Sequence, residues 1–196
     1  MNLPNKLTLS RFALTFAFLV AMFVEFPYSD TVALVLFVSA GITDWMDGAI
    51  ARSRNLITNF GILMDPLADK ILTCSAFIAF VDRHYLAAWI VVVIVARELA
   101  ITGLRLLAAS KHVVLAAEGW GKHKTISQIT TIIAVLVGAS YAEWGWVGRL
   151  IFGFPILGTP WVTSFTRLST CVTVGLTFIS GVLYLWRNRD LYLQDL

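Results

Sequence analysis

The chain has 196 residues, of which 58% are hydrophobic and 14% charged, with a mean hydropathy of +0.79. A soluble domain carries roughly 25% charge and 45–50% apolar residues, so a water-soluble globule is excluded. The net charge of +3 is too small and too dispersed for a nucleic-acid surface, and no nucleic acid is expected as partner. Cys74 and Cys171 lie in apolar runs, with the spacing of neither a zinc site nor a disulfide framework.

In chain order, residues 1–11 carry Leu3 and Leu7 one turn apart with Lys6 and Arg11 opposite, a pattern that predicts an interfacial segment along the membrane surface. Six apolar spans follow, at about 10–26, 31–53, 61–81, 85–109, 124–142 and 168–186, each about long enough for a hydrocarbon core of roughly 30 Å. The first is followed by Glu25-Phe26-Pro27-Tyr28 with no small-x-small cleavage site, so it is read as a retained helix. The expectation is one all-α integral membrane domain over 1–196. Lys6, Arg11, Arg52, Arg54, Lys111, Lys122, Lys124, Arg187 and Arg189 fall at one face, and Arg83, Arg149 and Arg167 at the other. This asymmetry places both termini in the cytosol.

The second and third spans hold Asp44, Asp47, Asp65 and Asp69, and a carboxylate within an apolar helix costs several kcal/mol unless paired or coordinated. Spacings of three and four residues put each pair on one helix face. Counted from Arg52 and Gly61, Asp44 and Asp69 lie about 12 Å deep, and Asp47 and Asp65 about 6–8 Å. Two antiparallel helices would thus present four carboxylates to one cavity. Oxygen-only ligands suit Mg²⁺ or Mn²⁺ better than zinc, and four carboxylates accommodate two ions. The competing reading is a set of structural ion pairs with Arg52, Lys70 or Arg97, or a cation pathway. The outer halves of both spans are apolar, which disfavours a transporter.

Residues 44–69 read DWMDGAIAR, eight residues, then GILMDPLAD. They resemble the signature D-x2-D-G-x2-A-R-x8-G-x3-D-x3-D of the CDP-alcohol phosphotransferase family, with every fixed position present; a dead scaffold would be expected to have lost one. The resemblance implies transfer from a CDP-activated donor to an alcohol with release of CMP. It also implies metal binding by Asp44, Asp47 and Asp65, with Asp69 as general base that also touches metal. For the CDP donor it points to Thr8, Gly48, Arg52, Thr58 and Gly61.

The alcohol must be chosen elsewhere. Arg97, Glu98 and Arg105 interrupt the fourth span, the two arginines eight residues apart on one face, and Lys122 and Lys124 open the fifth. Four cations converging near a metal site suggest an acceptor that carries a phosphate. AREL, GKHKTISQ and Asn5, Thr8 and Arg11 are similar to the phosphatidylglycerophosphate synthase branch of the family. That likeness implies CDP-diacylglycerol and sn-glycerol 3-phosphate as substrates and a bacterial inner membrane location. Inositol phosphate, serine or phosphatidylglycerol are the alternative acceptors. The competing readings are a Arg97–Glu98 salt bridge and an ordinary positive-inside signal at Lys122 and Lys124. Membrane lipids and a second copy of the chain, as a homodimer, are the remaining expected partners.

Overall fold

A computed structural model describes residues 3–53, 59–111, 113, 119–156 and 158–193, and the side chains of 8–46, 64, 67–111, 113, 123–156 and 158–192. Six long helices form in the predicted order: α1 Leu3–Phe23, α2 Ser29–Ser53, α3 Asn59–Asp82, α4 Ala88–Ser110, α5 Gly119–Ser140 and α7 Trp161–Arg187. The predicted fifth connection is more structured than the sequence implies. It holds a 3₁₀ turn Tyr141–Trp144, a short helix α6 Gly145–Phe152 and a two-residue hairpin, β1 Pro155–Ile156 with β2 Thr159–Pro160. A last turn, α8 Asp190–Leu193, follows α7.

The protein is an all-helical membrane protein apart from that hairpin. By length and hydropathy, three described stretches qualify as membrane spans, Ser29–Met46, His123–Phe152 and Trp161–Arg187, with Thr8–Phe23 a shorter apolar helix. The outward surface is what hydrocarbon demands: Phe16, Leu99, Leu106, Phe178 and Trp186 are all well exposed.

The expected interfacial segment over 1–11 is not a separate element. Leu3–Phe23 is one continuous helix, and Thr8, Arg11, Thr15, Phe18 and Met22 make its buried stripe. Their spacing of three or four residues turns Arg11 into the bundle, away from any headgroup layer.

Packing is set by small and aromatic residues. Ala33, Ala40, Ala76 and Ala79 are almost fully buried and let helices approach, while Phe18, Phe37, Phe77 and Phe80 fill the remaining space. In lipid, where tails are as apolar as leucine, such close packing and interhelical hydrogen bonds hold helices together. Accordingly α7 buries Ser169, Thr170, Thr173, Thr177, Ser180 and Gly181. Thr131 of α5 and Thr173 share a hydrogen bond of 2.8 Å, and Thr166 Oγ1 donates to the Ala134 carbonyl at 3.0 Å. Helix α1 packs along both α2 and α3, α5 along α2 and α7, and α4 along α7. Among the described residues α2 and α3 meet each other only slightly, so α1 bridges the two aspartate-bearing helices.

At one end, the turns 24–28 and 83–87 and the segment 141–160 come together. Arg83 binds Glu25 at 3.2 Å and Asp30 at 3.5 Å, and the Tyr85 hydroxyl donates to Asp30 at 2.9 Å. Glu143 accepts from the Thr31 amide at 3.1 Å, and Trp144 Nε1 donates to Thr31 Oγ1 at 2.9 Å. This is called the hairpin end below, and the opposite one the aspartate end.

Candidate active site

The aspartate end is organised by buried charge. Arg11, with no exposed surface, places Nη1 2.6 Å from Asp44 Oδ1, while the Asp44 side chain is 49% exposed. A guanidinium held away from water by α1 thus neutralises a carboxylate that is itself half exposed. Neighbouring Trp45, at 72% exposure, points outward, so Asp44 and Trp45 divide polar interior from lipid.

Asp69, one helix over, lies in the field of Asp44, Arg11, Lys124 and Glu98. Asp44 is thus close enough to Asp69 to act on it electrostatically. The intervening chemistry differs from expectation, because Arg11 stands with them. The side chains of Asp47, Gly48, Arg52, Gly61 and Asp65 lie outside the described residues, as does Thr58. Among the described residues, no three acidic, cysteine or histidine side chains gather as a metal cluster; only two of the four aspartates belong to that set.

A second charged group adjoins the first. Glu98 of α4, only 8% exposed, is ion-paired with Lys124 of α5 and with Arg97 Nη1 at 3.3 Å. Lys70 of α3 donates to Thr102 Oγ1, whose hydroxyl in turn donates to the Glu98 carbonyl at 2.7 Å. Three helices are thus stitched around one buried carboxylate, at a depth where an isolated charge is expensive.

Of the four cations predicted to form an acceptor pocket, Arg97 and Lys124 come together on Glu98. Arg105 is turned to α7, where its Nε donates to the Tyr184 hydroxyl at 3.4 Å and its guanidinium lies 5.8 Å from the ring centroid. Arg97 and Arg105 share the α7-facing side of α4, as their spacing predicts; the Lys122 side chain is outside the described set. Thr8 is 1% exposed and lies one turn before Arg11 on the same buried face, so it faces the bundle interior.

Sequence reasoning missed Arg11 and Glu98 as organising groups. The stripe Thr8, Arg11, Thr15, Phe18, Met22 was the available signal for Arg11, since a surface arginine does not continue an apolar face. For Glu98 the signal was its position amid cations in an otherwise apolar run.

Comparison with known proteins agrees with this arrangement. Residues 1–181 match the CDP-alcohol phosphatidyltransferase family. The chain is 39% identical, over 96% of its own length and 96% of the relative's, to a Bacillus subtilis protein named CDP-diacylglycerol–glycerol-3-phosphate 3-phosphatidyltransferase. Proteins of the same name from Yersinia pestis and Rickettsia bellii are 35% and 34% identical, over 69% and 70% of this chain and 77% and 76% of theirs. With the aspartate signature, the helical membrane bundle and a match across nearly the whole length, this chain belongs to the CDP-alcohol phosphatidyltransferase family.

Proposed function

We propose that this chain transfers the phosphatidyl group of CDP-diacylglycerol to sn-glycerol 3-phosphate, giving phosphatidylglycerophosphate and CMP. The observation that carries this reading is the 39% identity, end to end, to a relative bearing that activity in its name. It is supported by the buried Lys124, which acts on Asp69, and by Arg97 paired to the same Glu98, cations that suit a phosphorylated alcohol better than a neutral one.

Asp44, Asp47, Asp65 and Asp69 would hold two Mg²⁺ or Mn²⁺ ions. The residues fit: the donors are carboxylate oxygens suited to hard cations, Asp44 is half exposed, and Asp69 lies within its field. When bound, such ions shield the pyrophosphate and stabilise charge on the departing phosphate. The chain's own groups do the rest. Thr8, Gly48, Arg52, Thr58 and Gly61 hold the CDP moiety. Arg97, Arg105, Lys122 and Lys124 receive the acceptor's phosphate, and Asp69 accepts the proton of its primary hydroxyl. That oxygen attacks the phosphorus bonded to diacylglycerol, the bond from this phosphorus to the bridging oxygen breaks, and CMP departs with the bridging oxygen. Positioning supplies most of the rate.

The six long helices are read as six crossings of a bacterial inner membrane, with both termini and the aspartate end cytosolic, and the active form as a homodimer. Basic residues concentrated near the aspartate end support this orientation. The test is purified protein in mixed micelles with CDP-diacylglycerol, a divalent ion and a panel of alcohols. Glycerol 3-phosphate should give CMP and phosphatidylglycerophosphate. Equal use of serine, inositol phosphate or phosphatidylglycerol would overturn the acceptor assignment.

A further inference from the structure

A groove of about 330 Å³ runs between α4 and α7. Its walls are hydrocarbon, with Val93, Ala96, Ala100 and Leu185 among them, and its rim residues Val92, Phe178 and Val182 are exposed to lipid. Only two of its lining residues, Arg97 and Thr177, carry polar side chains.

Both bring a buried donor that is left over. Thr177 is fully buried, and among the described residues its Oγ1 has no hydrogen-bond partner; the same holds for Arg97 Nε. A helical threonine ordinarily satisfies its hydroxyl on the carbonyl four residues back, as Thr73, Thr102 and Thr170 do here. Thr177 does not. Arg97 is held by the bond from Nη1 to Glu98, which orients the guanidinium while Nε is left without a partner among the described residues. Gly181, one turn beyond Thr177, makes this possible: a Cβ there would stand 2.9 Å from Arg97 Cγ. The glycine lets the arginine stem lie across α7, beside the threonine.

Hydrocarbon walls with an unpaired hydroxyl and an unpaired guanidinium N–H call for a ligand that is a long apolar chain bearing one uncharged acceptor. A bare alkyl chain would leave both donors unsatisfied, and a phosphate would bring charge into walls that cannot solvate it. An acyl ester fits, its carbonyl oxygen having two lone pairs. The source is narrowed by continuity: Arg97 leads through Glu98 to Lys124, and Lys124 to the field around Asp69. We infer that the α4/α7 groove binds one acyl ester of the CDP-activated lipid donor, its carbonyl accepting from Thr177 Oγ1–H and Arg97 Nε–H. This rests on the function proposed above and deepens it by assigning donor-lipid selectivity to residues outside the aspartate signature.

The test compares a CDP-diacylglycerol with its dialkyl ether analogue, which lacks the carbonyls, in the parent and in Thr177→Val. Valine keeps the shape, and no protein hydrogen bond is lost with the hydroxyl. The parent should show a KM for the ester donor lower by roughly 25-fold to a hundredfold than for the ether donor, the worth of two buried hydrogen bonds at about 1–1.4 kcal/mol each. In Thr177→Val the ester KM should rise until that ratio falls to about fivefold to tenfold, the share of the bond that Arg97 Nε–H still gives. A parent that treats both donors alike, or a Thr177→Val enzyme that keeps the parent's ratio, overturns the inference. So does a variant that changes only the amount of co-purified phospholipid, which would make the groove a bulk-lipid site. Failure of the functional reading is distinguishable, because the parent would then transfer neither donor to glycerol 3-phosphate, and the inference would fall with it.

Discussion

Replacing Glu98 by Gln removes the carboxylate that Arg97 and Lys124 share. Glu98 is 8% and Lys124 5% exposed, so Lys124 gains no water when the charge disappears. Breaking a buried ion pair by removing one partner costs about 3–5 kcal/mol, and Glu98→Gln should fall in that range because Arg97 and Lys124 are left facing a neutral amide. Lys124→Met should cost about half as much, since Glu98 keeps Arg97 at 3.3 Å. Against a total stability of about 5–15 kcal/mol, the first variant is severe and the second moderate. Unfolding in mixed micelles by SDS titration, followed through tryptophan fluorescence, gives both values. The double variant completes a cycle in which the coupling should reach about 1–3 kcal/mol, with the pair less damaging than the sum. Purely additive effects, or a Glu98→Gln protein within about 0.5 kcal/mol of the parent, would refute the view that this carboxylate holds α4 and α5 together.

Asp69→Asn should lose turnover while CDP-diacylglycerol affinity survives in part, as expected of a proton acceptor; near-normal kcat would remove Asp69 from the chemistry. Asp44→Asn should abolish divalent-dependent turnover in a folded protein, and undiminished Mn²⁺ binding by this variant would sink the metal assignment. Arg11→Gln should tighten Mn²⁺ binding in a direct titration, because the cation paired with Asp44 at 2.6 Å competes with the metal for it; weaker binding would deny Arg11 that role. Arg105→Ala should raise the KM for glycerol 3-phosphate by roughly tenfold to a hundredfold, and Arg105→Lys by less, since lysine keeps charge but loses the planar fork. An unchanged acceptor KM in both would move the phosphate site away from α4.

The order of the six long helices was legible because apolar runs of about twenty residues recur along the chain, although only three described stretches qualify as membrane spans by length and hydropathy. That Asp44 and Asp69 lie at similar depth on neighbouring helices was legible for a related reason: depth follows directly from residue count along a helix. What escaped was lateral information. Nothing in a linear count says that α1 stands between α2 and α3, so Arg11 was assigned to the surface although it closes on Asp44. Likewise Arg97, Arg105 and Lys124 were correctly seen as exceptional. Which of them would be engaged by Glu98 and which by Tyr184 depends on the crossing of α4 with α5 and α7, set by side-chain shape over the whole interface.

The knot of side chains at the hairpin end has a mechanical meaning. Glu25, Asp30, Arg83 and Tyr85 clamp the first two helical hairpins to one another, and Thr31 with Glu143 and Trp144 adds the third. Those contacts are made by turns and helix starts, whereas nearer the aspartates the helices are tied through side chains that also carry charge, Arg11 to Asp44 and Lys124 to Glu98. The hairpin end thus fixes which helices are neighbours, and leaves the charged groups at the other end to set the chemistry of the space between them.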